Sequence, residues 1–327
     1  MNPHSRCNCR CLMCDIWKRD SVQEISREQF DRQLESIERL GVEWVVFSGG
    51  EPLMHSGLFY FCSELRRRNI RVTLLSSGLL LARHAHDICE FADDVIVSLD
   101  GPREIHNAIR RVANAFGLLA EGVDKIRSIR SSFPITARCT VQMRNCTQLT
   151  AAVASARSLG LNSISFLAVD VHSTAFNHAA LPVLGAGDPV ALDAHAIECL
   201  DGQIETLIAA GECGQFVRET PAKLRAIARH FRCCLGAAER VSPVCNAPWT
   251  SAVIEADGSV RPCFFHPASG SLSATQDLYQ LINGAEATGF RERLDIATNE
   301  ICRRCVCSLN WKAAYLTGPG ASDNARH

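Results

Sequence analysis

An excess of charge of either sign is missing from this sequence: 34 Lys and Arg stand against 35 Asp and Glu, for a net charge of -1. A sequence-independent grip on a phosphate backbone needs a basic face, so nucleic acid is not an expected partner. One local basic run, Lys223, Arg225, Arg229 and Arg232, has the spacing of a solvated helix face. No apolar run reaches the ~18 residues that cross a bilayer, so no membrane partner is expected. The opening Met1-Asn-Pro-His-Ser-Arg6 lacks the apolar segment of a secretory signal. Low-complexity tracts are absent, and no repeat exceeds a βα unit. These absences point to a cytoplasmic globular protein, 47% hydrophobic and 21% charged, whose 327 residues suffice for two domains.

Seventeen cysteines stand out against a reducing compartment. Disulfides are not expected there, so clustered cysteines point to metal or redox work. Cys62, Cys89, Cys139, Cys146 and Cys199 sit singly in apolar or helical patterns and read as small buried hydrophobes. The groups near the two chain ends do not.

The first half alternates helix and strand patterns. Ser26 and Gln29 form a capping-box pair, with Ile25 and Phe30 as a hydrophobic staple, and predict a helix ending at Gly41. The apolar run 42–47 follows and stops at Ser48-Gly-Gly-Glu-Pro52. Helices over 58–68, 82–91, 105–126 (broken or continuous) and 149–159 then alternate with strands over 70–75, 95–99, 135–142 and 163–169. Such βα repetition with strands apolar on both faces implies a buried parallel sheet, with ligands at the strands' C-terminal ends. The pattern becomes helical and linker-like over 181–236. A small C-terminal domain, 237–327, opens with two short strands around Asp257-Gly258, a hairpin turn.

Cys7, Cys11 and Cys14 have C-x3-C-x2-C spacing in one short loop, and Cys9 breaks the pattern. Three thiolates can hold three irons of a [4Fe–4S] cube and leave the fourth open for a cosubstrate. The competing reading is zinc, for instance Cys11 and Cys14 with Cys302 and Cys305 in a tetrahedron.

The stretch Cys7-Asn-Cys-Arg-Cys-Leu-Met-Cys-Asp-Ile-Trp17 resembles the cluster loop of the radical S-adenosylmethionine (SAM) superfamily. Ser48-Gly-Gly-Glu-Pro-Leu53 resembles its GGEP motif, Leu75-Ser-Ser-Gly78 its third strand ending, and Val97-Ser-Leu-Asp-Gly-Pro102 its fourth-strand region. The resemblance covers roughly residues 5–170. It implies a partial (β/α)6 TIM-like barrel over 1–180, with SAM chelating the open iron. It also implies roles at individual residues. Gly49 and Gly50 would admit the methionine moiety, Glu51 would accept its ammonium, and Met13 would lie near the adenine. Ser77, Ser98 and Asp100 would offer polar strand-end contacts, and Arg110 or Arg111 would meet the SAM carboxylate. Only six residues precede Cys7, so the family's first strand is expected to be missing or truncated.

Cys245, Cys263, Cys302, Cys305 and Cys307 form the second group, with Gly258 ahead of Cys263 in a G-x4-C pattern. It resembles the SPASM or twitch domain of many radical SAM enzymes, a hairpin-plus-helix iron–sulfur unit. Cys245, Cys263, Cys302 and Cys305 would close one auxiliary [4Fe–4S] cluster, with Cys307 and Cys234 as competing ligands and structural zinc as the alternative. The implied activity is reductive SAM cleavage to a 5′-deoxyadenosyl radical and hydrogen abstraction from a substrate, with net oxidation through the auxiliary cluster. A flavodoxin or ferredoxin would donate the electron. Asp170 and His172, just past the last strand, are candidate catalytic residues. The lack of a peptide-recognition extension favours a small molecule. A ribosomal-peptide or redox-cofactor maturase is the alternative, and a non-catalytic iron–sulfur or zinc regulator is the reading from another class.

Overall fold

The first helical unit shows how local sequence sets the start of the fold. Ser26 and Gln29 make the expected reciprocal cap, and Ile25 and Phe30 are both buried. The helix expected to run to Gly41 is two, α1 (Arg27–Asp31) and α2 (Leu34–Arg39). The turn between them buries Gln33, whose Oε1 accepts from Leu278 N at 2.8 Å, a partner 245 residues away that local pattern does not reveal. Gly41 ends the unit at φ +61°, where a side chain would be strained.

The computed structural model describes residues 1–178, 189–273 and 275–311. After α2 the chain alternates as expected: β1 (Trp44–Phe47), α3 (Leu58–Arg67), β2 (Arg71–Ser76), α4 (Ala85–Phe91) and β3 (Asp94–Ser98). Then come α5 (Arg103–Arg110), α6 (Ala115–Ile129), β4 (Ile135–Val141), α7 (Leu149–Ser158) and β5 (Ser163–Ala168). The strands form one parallel sheet in the order β1-β2-β3-β4-β5. Both faces are covered, so Phe47, Val72, Leu74, Val95, Val97 and Ile135 have essentially no exposure. The break between α5 and α6 falls at Arg111, at φ +54°.

Both edges of the sheet are extended without a full strand. At the β1 edge, residues 1–6 run beside 46–51. Ser48 N donates to Met1 O, Gly50 N to His4 O and Glu51 N to Arg6 O. His4 forms a parallel bridge with Gly49, so the chain lies along the sheet edge where the first strand was expected, without forming a strand. At the β5 edge, Val217 bridges Ile164 in parallel. The flanking helices α8 (Ala194–Ala209) and α9 (Pro221–Cys234) bury Leu200, Ile204, Leu224 and Phe231; α9 packs on β5 and α8 on α7. The described part of the expected linker is therefore core, because its apolar helix faces have the sheet edge to cover. Residues 181–188, where that stretch was expected to open, lie outside the described residues.

The C-terminal unit contains α10 (Ala247–Thr250), a three-stranded antiparallel sheet of β6 (Val253–Ile254), β7 (Ser259–Arg261) and β8 (Gly270–Ser271), then α11 (Leu278–Asn283), α12 (Ala285–Arg293) and α13 (Glu300–Arg304). The Asp257-Gly258 turn is as expected, with Gly258 at φ +86° and Asp257 Oδ1 accepting from Ser259 N. Asn2 ties this unit to the core, its N donating to Ile254 O at 2.7 Å and its Nδ2 to Glu255 Oε2 at 3.0 Å. No helix among the described residues is long and apolar enough to cross a membrane.

Candidate iron–sulfur and cofactor site

The cysteine loop is held by a helix end. The last carbonyls of α5 have no partner within the helix. Those of Ile109 and Arg110 accept from Leu12 N and Arg10 N in the loop, at 3.0 and 3.1 Å. The break at Arg111 leaves them free for this. On the other side, Asp15 N donates to the carbonyl of Phe176, a residue at φ +60° whose ring packs 5.0 Å from Phe264, next to Cys263. Cys7 and Cys14 are half-buried and Cys11 is buried.

Arg110 is the group sequence reasoning left undecided. Its Nε donates to Asp100 Oδ2 at 2.6 Å and its Nη1 reaches Cys11 Sγ at 3.5 Å, and both charged side chains are buried. Burial opposes the charge on Arg110, but Asp100 and the thiols of Cys11 and Cys9 hold it firmly protonated. Cys11 is shifted down, first by the Cys9 thiol and also by Arg110, while Cys9 is driven up by hydrogen bonding to Cys11 and Cys7 and by burial. Asp100, expected to contact cofactor, pairs with Arg110 in the fold, and its Oδ1 accepts from Thr140 N at 3.3 Å. Buried His106 accepts from Asp100 N and is lowered to about 4 by burial, which keeps the ring neutral.

The GGEP loop is packed against the chain's own first residues. A Cβ on Gly50 would lie 1.9 Å from Arg6 O, and one on Gly49, at φ +106°, 2.9 Å from Asn2 Cβ. The close approach that requires these glycines in this structure is therefore that of residues 1–6. Glu51 is wholly buried. It accepts from Leu53 N (3.2 Å), Ser76 Oγ (2.9 Å), Ser77 N (2.7 Å) and Ser77 Oγ (2.5 Å). The Ser77 hydroxyl also lies 3.0 Å from Asn8 Oδ1, and its one proton serves either acceptor, so most of the carboxylate's roughly four acceptor positions are taken within the fold. Burial raises its carboxyl pKa, against the pull of these donors. Glu51 and Ser77 thus lock the loop to the end of β2.

Met13 and Gln142 define the opposite wall. Met13 Sδ lies 3.4 Å from Gln142 Nε2, and the buried Gln142 Oε1 has no partner among the described residues. A buried acceptor left open beside a cofactor loop is where a ligand N–H or O–H fits. Sequence reasoning missed Gln142. Its signal was a polar residue ending an apolar strand. Ser98 is half-buried at the end of β3, in register with Arg138.

The second thiol group assembles from three stretches. Cys263, Cys302 and Cys305 are each raised, first by burial and then by neighbouring thiols that include Cys245 and Cys307, with Cys302 pushed up to about 11. Thiols so crowded resist ionising together unless a cation joins them, which is the condition a metal centre meets. Cys307 belongs to this group. Cys234 instead lies with His172 and His230. Next to the group is a cavity of about 340 Å³ between β4, β5 and α9, reaching Cys305 and Cys307. Among the described residues its cations are Arg138, Lys223, Arg229, Arg240 and Arg303, against the single acid Glu219. The basic run on α9 is thus not a purely solvated face. Lys223 and Arg229 turn to the cavity, while Arg225 and Arg232 pair with Glu205 and Asp201 on α8. Of the candidate catalytic pair, Asp170 is buried and folds a turn, Oδ1 accepting from His172 N at 3.0 Å and Oδ2 bonded to Ser173 Oγ. Through these contacts it fixes the turn that carries His172.

A parallel α/β sheet with three cysteines in a loop at its strand ends, joined to a small hairpin unit with its own cysteine group, defines a two-centre iron–sulfur protein. Residues 1–141 match the Radical SAM superfamily and residues 245–306 the SPASM iron–sulfur cluster-binding domain, so the chain belongs to the radical SAM superfamily and carries a C-terminal SPASM domain. Those domains imply a [4Fe–4S] cluster with SAM and auxiliary iron–sulfur binding. Among similar proteins is the AdoMet-dependent heme synthase of Methanosarcina barkeri, 27% identical over 159 residues, 47% of this chain and 45% of that one. The PqqA peptide cyclase of Gluconobacter oxydans is 28% identical over 162 residues, 49% of this chain and 45% of that one. The chain spans less than half the length of these curated relatives. The fold matches native anSMEcpe with bound AdoMet and Cp18Cys peptide (TM-score 0.66, 19% identity, 93% of this chain and 84% of that one). It also matches Streptococcus suis SuiB bound to precursor peptide SuiA (TM-score 0.64, 13% identity, 99% and 74%).

Proposed function

We propose that this chain reductively cleaves SAM and removes hydrogen from a small molecule bearing carboxylate or similar anionic groups, in a net oxidation. Bound clusters and SAM supply the one-electron cleavage, the deoxyadenosyl hydrogen acceptor and an acceptor for the electron left on the product. The chain's own residues hold and enclose them. Cys7, Cys11 and Cys14 are the ligands of the first cluster, and Arg110 balances charge at Cys11. The Gly49-Gly50-Glu51 backbone lines the methionine end of SAM. Gln142 Oε1 and Met13 meet the nucleoside end, and Ser77 and Ser98 supply polar contacts between them. Cys245, Cys263, Cys302 and Cys305 hold the auxiliary cluster, with Cys307 competing for the last place. A flavodoxin or ferredoxin is the electron donor.

The observation that carries this reading is the unpaired Gln142 Oε1 beside Met13 and the Arg110-braced cysteine loop. The cationic lining of the cavity supports an anionic substrate. A second reading, modification of a peptide, draws on the PqqA peptide cyclase and on SuiB bound to its precursor peptide.

Anaerobic reconstitution tests the proposal. About eight irons per chain and formation of 5′-deoxyadenosine are expected. Replacing Cys7, Cys11 and Cys14 by Ala abolishes the product and leaves about four irons. Deoxyadenosine from the triple variant, or a protein that takes up only zinc, overturns the reading. A precursor peptide consumed in step with SAM moves the substrate to the second reading.

A further inference from the structure

We propose that His172, His230 and Cys234 form a third metal site, distinct from both cysteine groups, that binds one zinc-type divalent cation. His230 and Cys234 are four residues apart on α9 and so share a face. Their Nε2 and Sγ lie 3.6 Å apart. His172 arrives from the turn after β5, and its Nε2 stands 3.0 Å from Cys234 Sγ. All three donor atoms lie within 4.8 Å of one another.

The 3.6 Å between His230 and Cys234 suits one ion, and the 3.0 Å between His172 and Cys234 has to open by about 0.6 Å to admit it. With Zn–N near 2.1 Å and Zn–S near 2.3 Å, tetrahedral geometry sets nitrogen and sulfur roughly 3.6 Å apart and two nitrogens roughly 3.4 Å apart. Two imidazoles and a thiolate suit zinc, and three protein ligands leave a fourth position open. Cys234 would bind as the thiolate, its proton passing to solvent. The turn that presents His172 is fixed by Asp170, which accepts from His172 N.

The guanidinium of Arg240 stands at this donor set, Nη2 3.2 Å from His172 Nε2, and has to swing away before an ion takes that lone pair. His230 and Arg240 also line the cavity, which gives an ion a way in and gives an anion in the cavity access to the fourth position. All three ligands are half-buried, sheltered but reachable.

The test uses the full chain with its clusters reconstituted, so that the other cysteine groups are filled, then exposed to one equivalent of Zn(II) and desalted. About one zinc per chain is expected. It falls at least tenfold in His230→Ala and in Cys234→Ser with iron unchanged. Co(II) in place of zinc gives a thiolate charge-transfer band in the near ultraviolet, absent from Cys234→Ser. Arg240→Met keeps all three donors and removes the competing cation, so it binds zinc several-fold tighter. If the ligand variants lose iron through misfolding, the cobalt band and the Arg240→Met affinity in otherwise intact protein decide the matter. No stoichiometric zinc and no cobalt band in the unaltered chain overturns the site, as does zinc retained by both ligand variants. Failure of the proposed SAM chemistry reads out separately, as missing iron or missing deoxyadenosine whatever the zinc content.

Discussion

Replacing Gly50 by Ala tests the assignment of the GGEP glycines most directly. The new Cβ would sit 1.9 Å from the carbonyl oxygen of Arg6. Ordinary contact begins near 3.4 Å, so one backbone has to retreat by about 1.5 Å. Both neighbours are main chain, and no side-chain rotation relieves the clash. Retreat breaks or lengthens Gly50 N to His4 O (3.3 Å) and Glu51 N to Arg6 O (2.9 Å). Each is worth about 1 kcal/mol, and overpacking adds about 1–3 kcal/mol, so destabilisation of about 3–5 kcal/mol is expected. Cys7 follows Arg6 directly, so iron at the N-terminal site drops as well. Gly41→Ala is the control. Gly41 also has positive φ, but a Cβ there meets nothing within 4 Å, so only backbone strain of about 1–2 kcal/mol applies. Urea unfolding of the anaerobic, cluster-free proteins compares the two, and iron counts on reconstituted samples report the site. If Gly50→Ala unfolds within about 1 kcal/mol of Gly41→Ala and keeps full iron, the closeness of residues 1–6 is not what the glycine serves.

Arg110→Met strips the partner from wholly buried Asp100 and is expected to cost about 3–5 kcal/mol; Asp100→Asn in the same chain restores much of it, and a coupling energy near zero in urea unfolding rejects the buried pair. Gln142→Leu removes an amide whose Oε1 has no protein partner, so stability holds or rises while the KM for SAM increases about tenfold; unchanged KM removes Gln142 from the cofactor site. Glu219 is raised by burial from 4.5 to about 7, so the folded state binds its proton more tightly than the unfolded chain does. Its stabilising contribution is full below pH 4.5 and is lost as pH rises through about 7, up to about 3 kcal/mol in all. Glu219→Gln flattens that slope in urea unfolding between pH 5 and 8, and an unaltered slope assigns it to another group.

The sequence by itself determined the frame. The βα alternation, the Ser26 cap, the Asp257-Gly258 hairpin and the two cysteine groups depend on neighbours a few residues apart, and each is where its pattern put it. Local patterns could also locate Glu51, Asp100 and Asp170, but not say what each carboxylate does. Tertiary structure decided that, because their hydrogen bonds go to Ser76 and Ser77, to Arg110, and to the turn that presents His172. It also brought Asn2 and Arg6 against Gly49 and Gly50, an approach along the sheet edge that the pattern did not reveal. It also turned a stretch expected to be a linker into core, because α8 and α9 bury apolar faces at the sheet edge. The convergence of His172 with His230 and Cys234 arises the same way. A periodicity records which side chains share a face of their own element, whereas the partner that the face meets is fixed only when distant segments close-pack.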